Sequence, residues 1–103
     1  MSKSEKLKLW SVYFTRSACS QREKLKYNGS KPSIYDVVNL LVIEMTKEGP
    51  HRSNWPNYGK LDDGFHCHLK KGRPTYVACW RIVDEANKKL EVYYVGTHEN
   101  APY

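Results

Sequence analysis

The chain predicts an α+β fold: one strand, two helices, then three strands in a mostly antiparallel sheet with both helices on one face. Three observations carry this. Residues 33–48 hold one broad apolar stripe at helical spacing. Residues 65–70 alternate apolar and polar at period two. The last third is β-branched and aromatic, punctuated by short turn formers.

Residues 8–14, "KLWSVYF", read as the first strand, with Trp10, Val12 and Phe14 alternating against Ser11 and Tyr13. Residues 17–26 suit a short helix that places Ala18, Gln21 or Arg22, and Leu25 on one side. Gly29 and Pro32 then break the chain. The second helix is the clearest element. Ser33 and Asp36 form an S-x-x-D capping pattern at its start. Ile34, Val37, Val38, Leu41, Val42 and Met45 form its apolar face, and Gly49-Pro50 stops it. Leu40 and Ile43 fall outside that face; they pack on the first helix or stand exposed for a partner. Residues 50–64 are rich in turn formers and read as loop. Strands follow at 65–70, 74–83 and 90–96, with "DEANKK" as a turn between the last two.

The 103 residues fit one domain spanning 1–103 with a modest core. The chain is 40% hydrophobic, too much for a disordered polymer. No stretch approaches the roughly 20 apolar residues of a membrane span, and the charged N-terminus lacks a secretory pattern, so a cytoplasmic protein is expected. Three widely spaced cysteines, Cys19, Cys67 and Cys79, argue against a disulfide framework. The formal net charge of +6 fits contact with a polyanion or an acidic protein, or simply a lysine-rich surface.

The stretch "FHCHLKKGR" at 65–73 admits three readings: a metal site, a catalytic site, or a polar strand face. Alternation separates them. His66 and His68 share one face with Lys70; Phe65, Cys67 and Leu69 point the other way, toward the helices. Zinc needs four converging ligands. Here the cysteine leaves the two histidines, so no metal is expected. Two imidazoles beside Lys70, Lys71 and Arg73 join proton-transfer groups to phosphate-binding charges, as metal-free RNA cleavage requires. On the strand alone, a solvated polar face remains the simpler reading. Trp80 shares a face with Tyr76, Ala78 and Ile82 and reads as core; His51 and Trp55 are unplaced.

From about residue 57 onward the sequence resembles the C-terminal half of the RelE/YafQ toxins, of the RelE/ParE superfamily in type II toxin–antitoxin systems. The resemblance rests on "YGKL", the alternating strand "FHCHLKKGR", the aromatic strand ending in Val83-Asp84, and "VGTHE" with an aromatic shortly after. It implies a RelE-like fold and a metal-independent endoribonuclease, or mRNA interferase. Such an enzyme cuts mRNA, typically at the ribosome, by attack of the 2′-OH on the adjacent phosphate. A cognate antitoxin restrains it, and translation stops when it is free. No cofactor is implied. His66 and His68 fall where RelE-like members carry lysines, and Cys67-His68-Leu69 matches a YafQ-like run. His98 falls at the catalytic Arg or His of the closing motif and is assigned as general acid. His66 or His68 is the candidate base; both could instead hold the phosphate. Lys70, Lys71 and Arg73 are assigned to RNA phosphates. Tyr103 falls on or near the late aromatic that can stack on a base.

The sequence also departs from the pattern. "KKGR" holds no counterpart of the YafQ-like aspartate. Val77 falls near the RelE-like arginine, with Arg73 or Arg81 as possible substitutes. Two alternatives stay in view: a gyrase-poisoning toxin of the same fold, and a non-catalytic RNA-binding module.

Overall fold

A computed structural model of the chain describes residues 8–27, 32–70 and 72–103. Strand β1 (Ser11–Phe14) leads directly into helix α1 (Arg16–Tyr27). Thr15 makes the junction sharp. Its Oγ1 accepts the Ala18 N–H at 3.0 Å, an N-cap that satisfies one of the unpaired amides of the first turn. Ala18 and Leu25 are buried, and Gln21 Oε1 accepts the Val95 N–H at 2.8 Å. That bond takes up a sheet-edge donor beyond the end of β1.

Helix α2 (Pro32–Glu48) opens on a proline, which suits the first helical position because its missing N–H has no partner to lose. Ser33 therefore lies inside the first turn and is not the N-cap that the S-x-x-D pattern predicts. Ile34, Val38, Leu41 and Met45 are each no more than 1% exposed, and Val37 and Val42 pack beside them. Leu40 and Ile43 stand exposed rather than against α1. The helices join instead through Arg22. Its guanidinium donates to Asn39 Oδ1 at 3.0 and 2.7 Å and lies over the rings of Phe14 and Tyr35. Gly49 ends α2 with φ +92, and a Cβ there would meet Trp10 Nε1 at 3.0 Å.

The expected loop contains one more strand. β2 (Gly59–Leu61) pairs antiparallel with β3 (Gly64–Lys70), followed by β4 (Tyr76–Asp84) and β5 (Lys89–Thr97). The five strands run in the order β1-β5-β4-β3-β2, antiparallel except for β1 with β5. The helix-facing core contains Phe65, Cys67, Leu69, Ala78, Trp80 and Val92. Trp80 is fully buried and donates its indole N–H to the Pro50 carbonyl at 3.0 Å.

The opposite face is more covered than the sequence predicts. Val77, Cys79 and Tyr94 form a second buried cluster against Leu61, Tyr93 and Ala101. A register shift explains how β5 serves both cores. Cys79 pairs with Tyr94 but Trp80 pairs with Val92, leaving Tyr93 as an extra residue. The bulge turns Tyr93 and Tyr94 to the same face and returns Val95 to the helix side. Among the described residues, no helix is long and apolar enough to cross a membrane.

Candidate active site

Backbone register sets the site. His68 pairs with Val77, which pairs with Gly96; His66 pairs with Gly59 on one side and Cys79 on the other, and Cys79 pairs with Tyr94. Two rows therefore cross the sheet, each carrying one histidine of β3. As expected, Cys67 is buried on the helix side with Phe65 and Leu69, while both histidines lie on the far face and are partly exposed.

The third histidine arrives from the end of β5. Residues His98–Asn100 form a 3-10 turn, started by the His98 N–H donating to the Thr75 carbonyl at 2.8 Å. The Tyr94 hydroxyl donates to the Thr97 carbonyl at 2.7 Å and supports this corner from below. The chain then runs back across the second cluster, with Ala101 packed on it, and places Tyr103 over β3. Four rings meet as a result. His68 and His98 contact edge to face, with centroids 5.6 Å apart. Tyr103 stacks on His66 at 4.6 Å and meets His98 edge-on at 5.9 Å. The sequence reading named all four residues, and the fold brings them together.

The two strand histidines have different surroundings. A Cβ on Gly59 would lie 3.0 Å from His66 Nε2, so glycine provides the room that the ring occupies. Nδ1 of His66 is buried with no hydrogen-bond partner among the described residues. Burial, and then the charge of His98, hold the His66 pKa below its usual value, which keeps the ring neutral near pH 7. His66 is thus enclosed between Gly59 and Tyr103, whereas His68 faces His98 directly.

Cys67 and Cys79 are poor nucleophiles here. Burial pushes the thiols of Cys67 and Cys79 up to about 12, and all three cysteines are free. Among the described residues, no three His, Cys, Asp or Glu side chains converge to hold a metal ion.

The cations divide unequally. Lys70 is exposed at the end of β3, opposite Tyr76, and Lys71 lies outside the described residues. Arg73 borders a cleft of about 630 Å³ together with Pro74, Thr75, Thr97, His98 and Glu99. Arg81 does not replace the arginine missing at Val77. It is held by Glu91 at 3.0 Å and Asp63 at 3.8 Å and lies over Tyr93. Val77 is fully buried within the His68 row, so no cation comes from that position of β4.

His51 and Trp55 belong to the other side of the sheet. His51 meets Phe65 edge-on at 5.2 Å, and Trp55 donates to Glu44 Oε1 at 2.8 Å. Asn54, Trp55 and Arg52 all bond Glu44, whose carboxyl is held below its usual pKa chiefly by the first two. The sequence reading gave no role to Gly59, Thr75 or Glu99. Gly59 stood in the quoted "YGKL", yet its value lies in a pairing that only the register reveals.

Neither a protein-family model nor a curated protein matches the chain. Solved structures do match in fold. The YoeB dimer from Staphylococcus aureus superposes with a TM-score of 0.67 at 12% identity, covering 86% of this chain and 97% of that one. The YoeB–YefM complex from the same organism gives 0.66 at 11% identity, with 86% and 97% coverage. A copper-bound mutant toxin from Helicobacter pylori gives 0.61 at 20% identity, covering 87% and 96%. The chain has the fold of these toxins, as the RelE-like expectation required.

Proposed function

We propose that the protein is the toxin of a toxin–antitoxin pair and acts as a metal-independent endoribonuclease on mRNA at the ribosome, in the cytoplasm. The observation that carries this is the direct opposition of His68 and His98, supported by Tyr103 and flanked by Lys70 and Arg73. The YoeB–YefM complexes in the same fold support a cognate antitoxin as its partner.

In this reading His68 is the base. It is the strand histidine that faces His98, whereas His66 stacks under Tyr103 with its Nδ1 buried. Neutral His68 takes the 2′-OH proton as the 2′ oxygen attacks the adjacent phosphorus. Lys70 and Arg73 offset the charge of the pentacoordinate phosphorane. Protonated His98 gives its proton to the departing 5′ oxygen. The products are a 2′,3′-cyclic phosphate and a 5′-hydroxyl. Two imidazoles supply both proton transfers, so the scheme needs no metal. His66 acts as a positioning residue by supporting the Tyr103 ring, whose exposed side can meet a base.

The test is cleavage of mRNA on ribosomes in EDTA, comparing wild type with His98→Ala. The wild type is expected to leave cyclic phosphate ends, and His98→Ala to lose about 100- to 10,000-fold in rate. Uncut mRNA bound by the wild type would reject the enzyme in favour of a binding module.

A further inference from the structure

His68 lies beyond the reach of β2. That strand pairs Gly59, Lys60 and Leu61 with His66, Phe65 and Gly64, and goes no further along β3. The His68 N–H instead donates to the Pro56 carbonyl at 2.8 Å. On its other side His68 pairs with Val77 of β4. The backbone of this histidine is therefore held between a strand and a loop. The loop must itself be held for that contact to fix anything.

Residues 52–58 do not form a strand. Two turns shape them: the Trp55 N–H donates to the Arg52 carbonyl at 2.9 Å, and the Tyr58 N–H to the Trp55 carbonyl at 3.3 Å. Asn57, at φ +53, then leads the chain into β2, and asparagine tolerates this left-handed conformation better than most side chains. Side chains tie the loop to the body of the protein. Tyr58 stacks on Phe65 with centroids 6.1 Å apart. One carboxylate oxygen of α2 gathers three donors from the rest of the loop. Glu44 Oε1 accepts from Trp55 Nε1 at 2.8 Å, from Asn54 Nδ2 at 3.0 Å and from Arg52 Nη1 at 3.1 Å. Bonds to an ionised acceptor are stronger than neutral ones. Trp55 directly precedes Pro56, so the anchored indole is one residue from the carbonyl that receives His68.

We infer that Glu44, on the helix side of the sheet, is a positioning residue for His68 on the opposite face, acting through Trp55 and the Pro56 carbonyl. This rests on the ribonuclease reading, in which His68 takes the 2′-OH proton. A displacement of about 1 Å at a reacting group can cost about 100-fold in rate. A slack loop would therefore slow the chemistry without any contact to RNA. Glu44 has no bond to Lys70 or Arg73, so substrate binding should be spared.

Glu44→Ala is expected to lower kcat on ribosome-bound mRNA about 10- to 100-fold and to change KM by less than about twofold. Glu44→Gln keeps an acceptor oxygen and should recover part of the loss. Glu48→Ala removes only a 3.4 Å contact to Arg52 Nη2 and should match wild type. Amide exchange gives a readout that needs no cleavage. In Glu44→Ala the His68 N–H should exchange about tenfold faster, while the Cys67 N–H, which alternation turns toward β4, keeps its rate. Equal acceleration of both amides would show a purely structural role and overturn the inference. Unchanged His68 exchange, or a cleavage loss carried by KM alone, would do the same. If Glu44→Ala does not fold, Trp55→Phe deletes the indole N–H, keeps the Glu44–Arg52 pair, and decides by the same two amides. If the wild type cuts no mRNA, the ribonuclease reading fails, and the His68-to-His98 ring contacts in NMR decide the positioning: their loss in Glu44→Ala upholds it, and their retention overturns it.

Discussion

Gly59→Ala is expected to unstack Tyr103 from His66 while leaving global stability almost unchanged. The added Cβ would stand 3.0 Å from His66 Nε2, 3.6 Å from Cε1 and 3.7 Å from Cδ2. Non-bonded carbon atoms prefer about 3.5–4.0 Å, so the ring must retreat by a few tenths of an ångström. Its other side is occupied by Tyr103, 4.6 Å away between centroids, so the ring cannot retreat without disturbing the stack. Such a pair contributes about 0.5–1.5 kcal/mol, or about 2- to 12-fold in the population of the closed tail. The opposing effect is of similar size. Replacing glycine in a compatible strand removes unfolded-state freedom and stabilises by about 0.4–1 kcal/mol. The melting temperature should therefore move little. The Tyr103-to-His66 proton contacts in NMR should fade, and the His66 ring protons should lose their ring-current displacement. Lys60→Ala, at the exposed neighbour, should preserve both signals. Full retention of the Tyr103–His66 contacts in Gly59→Ala would refute the claim that glycine is there to seat the ring.

Three further expectations follow from the same structure. The His66 pKa is lowered, so the unfolded state takes up the proton first; its contribution to stability is complete above pH 6.5 and is lost as pH falls below that value. Denaturant midpoints across this window should therefore fall on acidification, and less steeply in His66→Gln. Thr15→Ala removes the cap of α1 and should cost about 1 kcal/mol in chemical denaturation. Leu41→Ala deletes a side chain that is 1% exposed at the centre of the α2 face and should cost about 2–5 kcal/mol in the same assay.

The regular parts of this fold were legible because they obey one period each. The α2 stripe and the Phe65-Cys67-Leu69 alternation transferred directly to the helix-side core. Thr15 was missed as a cap because the first strand gave no sign of where it ended, and Ser33 was preferred to Pro32 because capping patterns ignore a proline one residue earlier. β2 was hidden by its length and composition: three residues, one of them glycine, among turn formers. The second core was hidden for a different reason. Strict alternation through "LEVYYVG" puts Tyr94 with Leu90 and Val92, and only the extra residue at Tyr93 moves it to the other face. Arg81 illustrates the remaining gap. Its type suited a phosphate ligand, but a strand places it beside Glu91, and no local pattern reports a cross-strand partner.

Val77 explains why the site has the composition it does. Its position lies between His68 and Gly96, in the middle of the row that carries His68. A cation there would sit over the Cys79–Tyr94 cluster, and burying it without a partner would cost several kcal/mol. The chain instead fills the row with a fully buried valine and draws its positive charge from the rim, at Lys70 and Arg73. Rim charges are solvated and adaptable, so they suit the RNA backbone of the proposed reaction, which must enter and leave. The histidines that transfer protons in the proposed reaction need the opposite property. They sit on a paired strand and on a turn tied to Thr75, which sets their separation within the fold itself. The polar strand face that the sequence left ambiguous thus acquires its ring cluster from the returning tail, because that tail brings His98 and Tyr103 onto His68 and His66.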